Sequence, residues 1–302
     1  MGVKARQTEG GRTKPRRKLN LTRIKSFIVL VVGSVTAVVS GLSGLGAQVA
    51  FAPMLTWMLG FSAEKAQATA LRYAACAAAA AVAGAFWAQS LGVAPPPSIP
   101  GSTRLPVLPP LIWAYGALLF VSATVGAMLA RPLTPSGTLF RWKQTFQTIG
   151  VGIGLYVLIE VSHRTILNAH IPGLAGWGKV LLIGLGTGAL TQFLGLASGV
   201  LLVPVLYYLG GYTALQAAAQ SLLVVTLASL LPAWTYTRRG LVDPVYGGVT
   251  VVGGLLGGFG GGLLLARAPE RLVLTLFAVI AMFLSARELA RLAFEKPSRP
   301  TS

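Results

Sequence analysis

The sequence predicts an all-α fold: a polytopic helical membrane protein with about eight transmembrane helices in two repeated halves, each with a short half-helix or re-entrant segment. Three observations predict it. Charged residues make up 11% of the chain and hydrophobic ones 54%, whereas a soluble domain carries roughly 25% charged residues. So few charges cannot cover a water-facing surface, and mean hydropathy is +0.71. Runs of about 20 apolar residues recur, each able to cross ~30 Å of hydrocarbon, and none alternates as a barrel strand must. Finally, the stretch SGLSGLGAQVAFAP (40–53) breaks the first long apolar run with glycines and a proline, and TQFLGLASGVLLVP (191–204) breaks a later one in the same way.

In chain order, residues 1–24 form a basic tail. The first 25 residues hold nine Lys or Arg and one Glu. Such a tail can bind nucleic acid, but an apolar span begins at Phe27, so it reads as the cytoplasmic flank of a first membrane helix. Anionic headgroups would attract it further. Its PRRKLNL segment also has the paired arginines of a twin-arginine address. The end of the following run is copied later in the chain, so that run belongs to the repeated body and should not be cleaved.

The first repeat covers 25–161, with spans near 25–46, 66–89, 111–130 and 144–161 and a short apolar piece at 49–60. A connector, 162–177, contains His163 and His170. The second repeat covers 178–290, with spans near 178–197, 215–236, 244–266 and 270–290 and a short piece at 200–211. Residues 291–302 form a solvated tail. Each short piece is about 12 residues, which as helix rises only ~18 Å, roughly half a bilayer.

The repeat is visible without a gap. At an offset of 151, residues 44–71 align on 195–222 with ten identities in 28, among them Gly44 with Gly195, Pro53 with Pro204 and Gly60 with Gly211. Matched Gly and Pro weigh more than matched Ala and Leu in apolar helices. Two orientations follow. If the short pieces re-enter, each half crosses four times and the halves are parallel. If they cross, each half crosses five times and the halves are inverted. The shortness of the pieces favours eight spans. Both arrangements put the two termini in the cytoplasm.

Non-helical backbone in hydrocarbon is tolerated only where protein buries it or a wet cavity lines it. Two matched breaks therefore mark the binding site of a transporter. Gly44, Gly46, Gly195 and Gly199 allow close backbone turns, and Pro53 and Pro204 fall early in the short helices, where a missing N–H costs little. The starts of those helices present free N–H groups and partial positive charge, which suit an anion.

The segments SGLSGLGAQVAFAPML, GFSAEKAQATAL and LGLASGVLLVPVLYYLGGYTALQAAAQSLL resemble the sulfite exporter TauE/SafE family, also described as TSUP transporters. The resemblance spans most of 27–290. It implies duplicated four-helix units and transport of sulfite, sulfonates or related sulfur-containing organic anions. Gln48 and Ser198 stand where the family usually has glycine, a departure that bears on the substrate more than on the fold.

Polar residues near the breaks complete the expected substrate site. Arg72, inside the helix after the first short piece, is a planar donor for an anion or a side chain that snorkels to headgroups. Gln67, Thr69, Gln220 and Ser221 open the two long helices and supply neutral donors, or helix–helix hydrogen bonds. The seven acids avoid clear mid-span positions, so a proton would cross on the substrate, or transport is passive. Gly253, Gly257 and Gly261, with Gly254, Gly258 and Gly262, recur every fourth residue, which is a helix-packing pattern.

No enzyme constellation is present: no nucleophile–base pair, no paired mid-chain carboxylates and no Cys/His metal spacing. Cys76 is the single cysteine and reads as a packing residue. No cofactor, metal or nucleic acid is expected. The expected partners are a small anionic substrate and the lipid bilayer, and a homo-oligomer is left open. The sequence thus predicts a cell-membrane permease for small anions, with a non-transporting accessory protein of an enzyme complex as the alternative.

Overall fold

The computed structural model describes residues 15–93, 112–130, 178, 181–187, 198–209 and 212–294. The expected span at 144–161, the connector with both histidines, and Gly195 lie outside the described residues. Eight helices are bounded: α1 (Pro15–Ser43), α2 (Gln48–Leu59), α3 (Ala63–Ser90), α4 (Ile112–Ala130), α5 (Ser198–Tyr208), α6 (Ala214–Arg238), α7 (Pro244–Leu265) and α8 (Glu270–Phe294). Among the described residues all regular structure is helical, with about two further turns over 181–187. Four stretches among the described residues are long and apolar enough to cross a membrane: Arg23–Ser43, Glu64–Ser90, Ala214–Arg238 and Pro244–Leu265.

Local chemistry sets the boundaries. α2 stops where Gly60 takes φ 67° and donates its N–H to the Thr56 carbonyl, the left-handed C-cap that glycine adopts without strain. Ser62 caps α3 by accepting from the Lys65 N–H. Thr213, at the repeat offset from Ser62, caps α6 in a reciprocal box with Gln216. Asp243 caps α7 by accepting from the Val245 and Tyr246 N–H groups, and Pro244 takes the first helical position.

The glycines of α7 work as two faces. A methyl at Gly253 would stand 2.9 Å from the Leu30 carbonyl oxygen, and one at Gly261 would stand 2.7 Å from that of Val38. On the other face, Gly254 abuts the Tyr73 ring, Gly258 the Ala77 backbone and Gly262 the Ala81 backbone. Helix α7 is thus wedged between α1 and α3 at backbone contact distance, which only small residues permit. The Tyr73 hydroxyl also donates to the Gly33 carbonyl at 2.6 Å, joining α3 to α1. A corresponding group forms where Gly184 packs against Leu119 and Ser122 of α4, which in turn packs on α6.

These contacts fix direction. Along α7, positions 253, 257 and 261 meet 30, 34 and 38 of α1, while 254, 258 and 262 meet 73, 77 and 81 of α3. Numbers rise together, so α1, α3 and α7 run parallel. α3 therefore starts at the end of the bundle where α1 starts, and α2 must bring the chain back. A tight turn at 239–243 makes α6 antiparallel to α7. α8 returns likewise: Glu270 accepts from the Ala214 N–H at 2.7 Å at one end, and the Arg287 guanidinium lies over Trp57 at the other.

Helices α3 and α6, which the 151-residue offset pairs, consequently run in opposite directions. That is the course of inverted halves, not of the parallel halves that the shortness of the two pieces favours. The reason is physical: α2 need not span a full bilayer to return the chain, because the break that precedes it already lies deep in the bundle.

Candidate functional site

The first break is four residues, 44–47, between α1 and α2. Gly44 has φ 72° and Gly46 φ 83°, both in the left-handed region, where an L side chain is strained. Gly44 through Ala47 are buried. The break lies along the middle of α6. Ser221 donates to the Gly44 carbonyl at 2.7 Å, Gly46 faces Val225 at 3.4 Å, and Ser229 donates to Gln48 Oε1 at 3.3 Å. The otherwise orphaned carbonyl of a broken backbone thus finds a donor from the other half of the chain.

The second short helix reaches the same place. Gly199, in the first turn of α5, sits so close to the first break that a methyl there would be 2.5 Å from the Leu45 carbonyl oxygen and 2.7 Å from that of Gly44. Gly44 in turn leaves 2.7 Å to Ala218 Cα of α6. The start of the second short helix and the first break are in direct backbone contact, which requires glycine on both sides.

The start of α2 differs from those of α3, α6 and α7. Its N-cap, Ala47, has no side chain to accept a hydrogen bond, whereas Ser62, Thr213 and Asp243 all do so. The first N–H groups of a helix lack intrahelical partners and carry partial positive charge. At α2 they occur inside the bundle rather than at its rim.

Of the expected site residues, the structure brings together Gly44, Gly46, Gln48, Gly199 and Ser221. Ser198 begins α5 at the same locus. Gln220 is buried beside Ser221 on α6. Gly195 lies outside the described residues. The others are placed elsewhere. Gln67 is exposed on α3. Thr69 is buried, but its hydroxyl donates to the Lys65 carbonyl one turn back. Arg72 is half-buried, with its guanidinium near the first turn of α7 at Gly247. The level of the break on α7 is near Gly261, which packs against Gly41. Fourteen residues of helix separate the two levels, or ~21 Å.

Pro53 and Pro204 also differ from expectation. Counting from Gln48 and Ser198, they are the sixth and seventh residues of α2 and α5, beyond the four positions whose N–H groups lack partners. Each removes one intrahelical bond and weakens the short helix in its middle.

Ser43 and Ser229 were not singled out in the sequence. Both hydroxyls occur in helices where serine usually bonds the preceding turn, and no spacing rule separates them from the other serines.

The end of the bundle at which α1 begins is polar and basic. Lys65 Nζ and Asp243 Oδ2 are 3.0 Å apart, and Lys65 also lies 4.8 Å from the centroid of Phe61. Burial pushes the Asp243 carboxyl up, but the Tyr246 N–H, the Lys65 ammonium and the Val245 N–H outweigh it and hold the carboxyl below its ordinary value. Arg238 stacks on Trp234 at the same end, and Trp57 beside Arg287 is 75% exposed, as aromatic residues are at a membrane interface.

Comparison with known proteins fits this arrangement. The family model described as Sulfite exporter TauE/SafE matches residues 102–288. Two relatives, both named "Probable membrane transporter protein", come from Xylella fastidiosa strains 9a5c and Temecula1 / ATCC 700964. They are 28% and 27% identical over 177 residues, covering 57% of this chain and 67% of each relative. With a buried break, apolar spanning helices and a family match over more than half its length, this chain belongs to the sulfite exporter TauE/SafE family and is a multi-pass membrane transporter.

Proposed function

We propose that the protein moves a small anion, such as sulfite, a sulfonate or a related organic anion, across the cytoplasmic membrane, binding it at the break between α1 and α2. One observation carries this reading: α2 begins without a side-chain cap, inside the bundle, beside two left-handed glycines and the start of α5. Helix starts of this kind, exposed to a central cavity, are how transporters hold anionic groups. The family's description supports the sulfur oxyanion class.

The basic end of the bundle faces the cytoplasm in this reading. It gathers the Lys and Arg residues of α1's start, Lys65, Arg238, Arg239 and Arg287, in keeping with the excess of positive charge on cytoplasmic flanks. Both termini then lie on that side. The moving bodies are not the two sequence halves. Because α7 is packed against α1 and α3 without intervening side chains, these three helices travel together with α2, whose Phe51 stacks on Tyr73 of α3, and α6 with α5 lines the path beside them.

The test is flux of labelled sulfite, thiosulfate, sulfoacetate and taurine into proteoliposomes of the purified protein. Saturable uptake of at least one anion is the expected result. Protein that is folded and inserted but moves none of them would fit an accessory role instead.

A further inference from the structure

Ser43, the last residue of α1, is fully buried, at 0% exposure. Its Oγ has no hydrogen-bond partner among the described residues. Two other hydroxyls of α1 behave differently. Ser34 donates to the Leu30 carbonyl at 2.9 Å and Thr36 to that of Val32 at 2.7 Å. The same bond to the preceding turn satisfies Thr56, Thr69, Thr124, Thr226, Thr237 and Thr275. Leaving a buried hydroxyl unpaired costs about 1–3 kcal/mol, and the cheapest remedy, used elsewhere in this chain, is not taken at Ser43.

The place of this hydroxyl gives the reason. Ser43 and Gln48 flank the four-residue break, and the uncapped N–H groups of α2 start at Gln48. Gln48 has its amide oxygen engaged by Ser229 and so offers its N–H2. An O–H, an amide N–H2 and helix-start N–H groups are all donors. The described carboxylates stand apart: Glu64, Asp243 and Glu270 lie at helix starts on the rim of the bundle, and Glu288 lies in the last third of α8, next to Arg287 at the far end from Glu270. Among the described residues, the break and its flanking positions, 43–48, contain no carboxylate to balance an ammonium group.

We infer that Ser43 is a substrate-binding residue of the proposed transport site, and that the site selects oxyanions whose polar atoms are all acceptors over zwitterions of similar size. This deepens the anion-transport reading and rests on it. Sulfite and sulfoacetate belong to the favoured class, and taurine, with its ammonium group, does not. The Ser43 O–H donates one charge-assisted hydrogen bond to an oxygen of the anion, which satisfies a group that is otherwise unpaired.

The experiment measures KM, maximal rate and thermal stability for wild type, Ser43→Ala and Ser43→Thr in proteoliposomes loaded with labelled sulfite. Ser43→Ala should raise KM about tenfold or more, the loss expected for one hydrogen bond to an anion, with little change in maximal rate. Its melting temperature without substrate should equal or exceed that of wild type, because the variant removes a hydroxyl that lacks a partner. Ser43→Thr, which keeps the hydroxyl, should restore most of the affinity. Unlabelled sulfoacetate should compete with sulfite at concentrations at least tenfold lower than taurine does. An unchanged KM in Ser43→Ala, or a lower melting temperature with unchanged KM, overturns the assignment and marks the hydroxyl as structural. Equal competition by taurine overturns the selectivity. Absence of wild-type flux for every anion overturns the transport reading itself, a result distinct from the other two.

Discussion

At the residue scale, function concentrates where the backbone does something only glycine allows. Gly44 combines a left-handed φ with a 2.7 Å approach to Ala218 Cα, so Gly44→Ala suffers both conformational strain of about 1–2 kcal/mol and a backbone clash. We expect this variant to lose several degrees of melting temperature, and most of its flux, while Gly60→Ala, with φ 67° but open space around its Cβ, bears the left-handed strain alone, without the clash. Equal losses in the two would show that the Ala218 approach does not matter. Asp243 is a second residue whose role is testable. Its carboxyl is held below its ordinary value, so the stability it contributes is present above the unfolded pKa of about 3.9 and is lost as pH falls through the lower folded value. Asp243→Ala should therefore melt lower than wild type at pH 7, by the worth of a cap, about 1 kcal/mol, plus a part-exposed ion pair worth less than about 1 kcal/mol. The gap should narrow as pH falls below about 3.9 toward the lower folded value, and melts across that range check it. The sequence made Gly44, Gly46, Gly199 and Gln48 legible at the break, but not the displacement of Arg72 and Gln67 from it. Arg72 and Gln67 are near the breaks in number, yet α3 carries them toward the far end and the outer face of the bundle.

At the element scale, the four-residue glycine spacing of α7 was readable as packing, and the structure assigns its two faces to two different neighbours. Substituting either face separates these consequences. Gly257→Val drives a branched side chain into the Ser34 backbone of α1, and Gly258→Val does the same at Ala77 of α3. Each should cost more than about 3 kcal/mol, as overpacking against backbone does, and be read as loss of monodisperse protein in detergent. Gly248→Val, at a position where a Cβ meets nothing within 4 Å, should be tolerated. The short helices are a different case. Their length was legible, but the placement of Pro53 and Pro204 in mid-helix was not, because an N-terminus marked only by glycines gives no capping residue from which to count. A proline in the middle leaves α2 dependent on tertiary support. Phe51 supplies it by stacking on Tyr73 with ring centroids 4.0 Å apart.

At the scale of the whole molecule, the parallel triad of α1, α3 and α7 joins helices from both ends of the chain. If it moves as one body, Lys65→Cys with Asp243→Cys in a Cys76→Ala background, bridged by a short bis-methanethiosulfonate reagent, should leave flux near the unbridged level, because both positions belong to the triad. Bridging Gln48→Cys to Ser229→Cys, which ties the break to α6, should stop it. Loss of flux on bridging the first pair would place a sliding surface between α3 and α7. By itself, the sequence determined the helical membrane class, the described long helices and the first break, because hydropathy and the placement of Gly and Pro act over a few residues and need no partner. Only the tertiary structure decided direction and assembly: that α2 turns the chain back, that α3 and α6 oppose each other, and that Gly199 and Ser221 complete the first break from 150 or more residues away. Contacts of that kind depend on which helix lies beside which, and close packing of small residues permits several such arrangements until the backbone itself is placed.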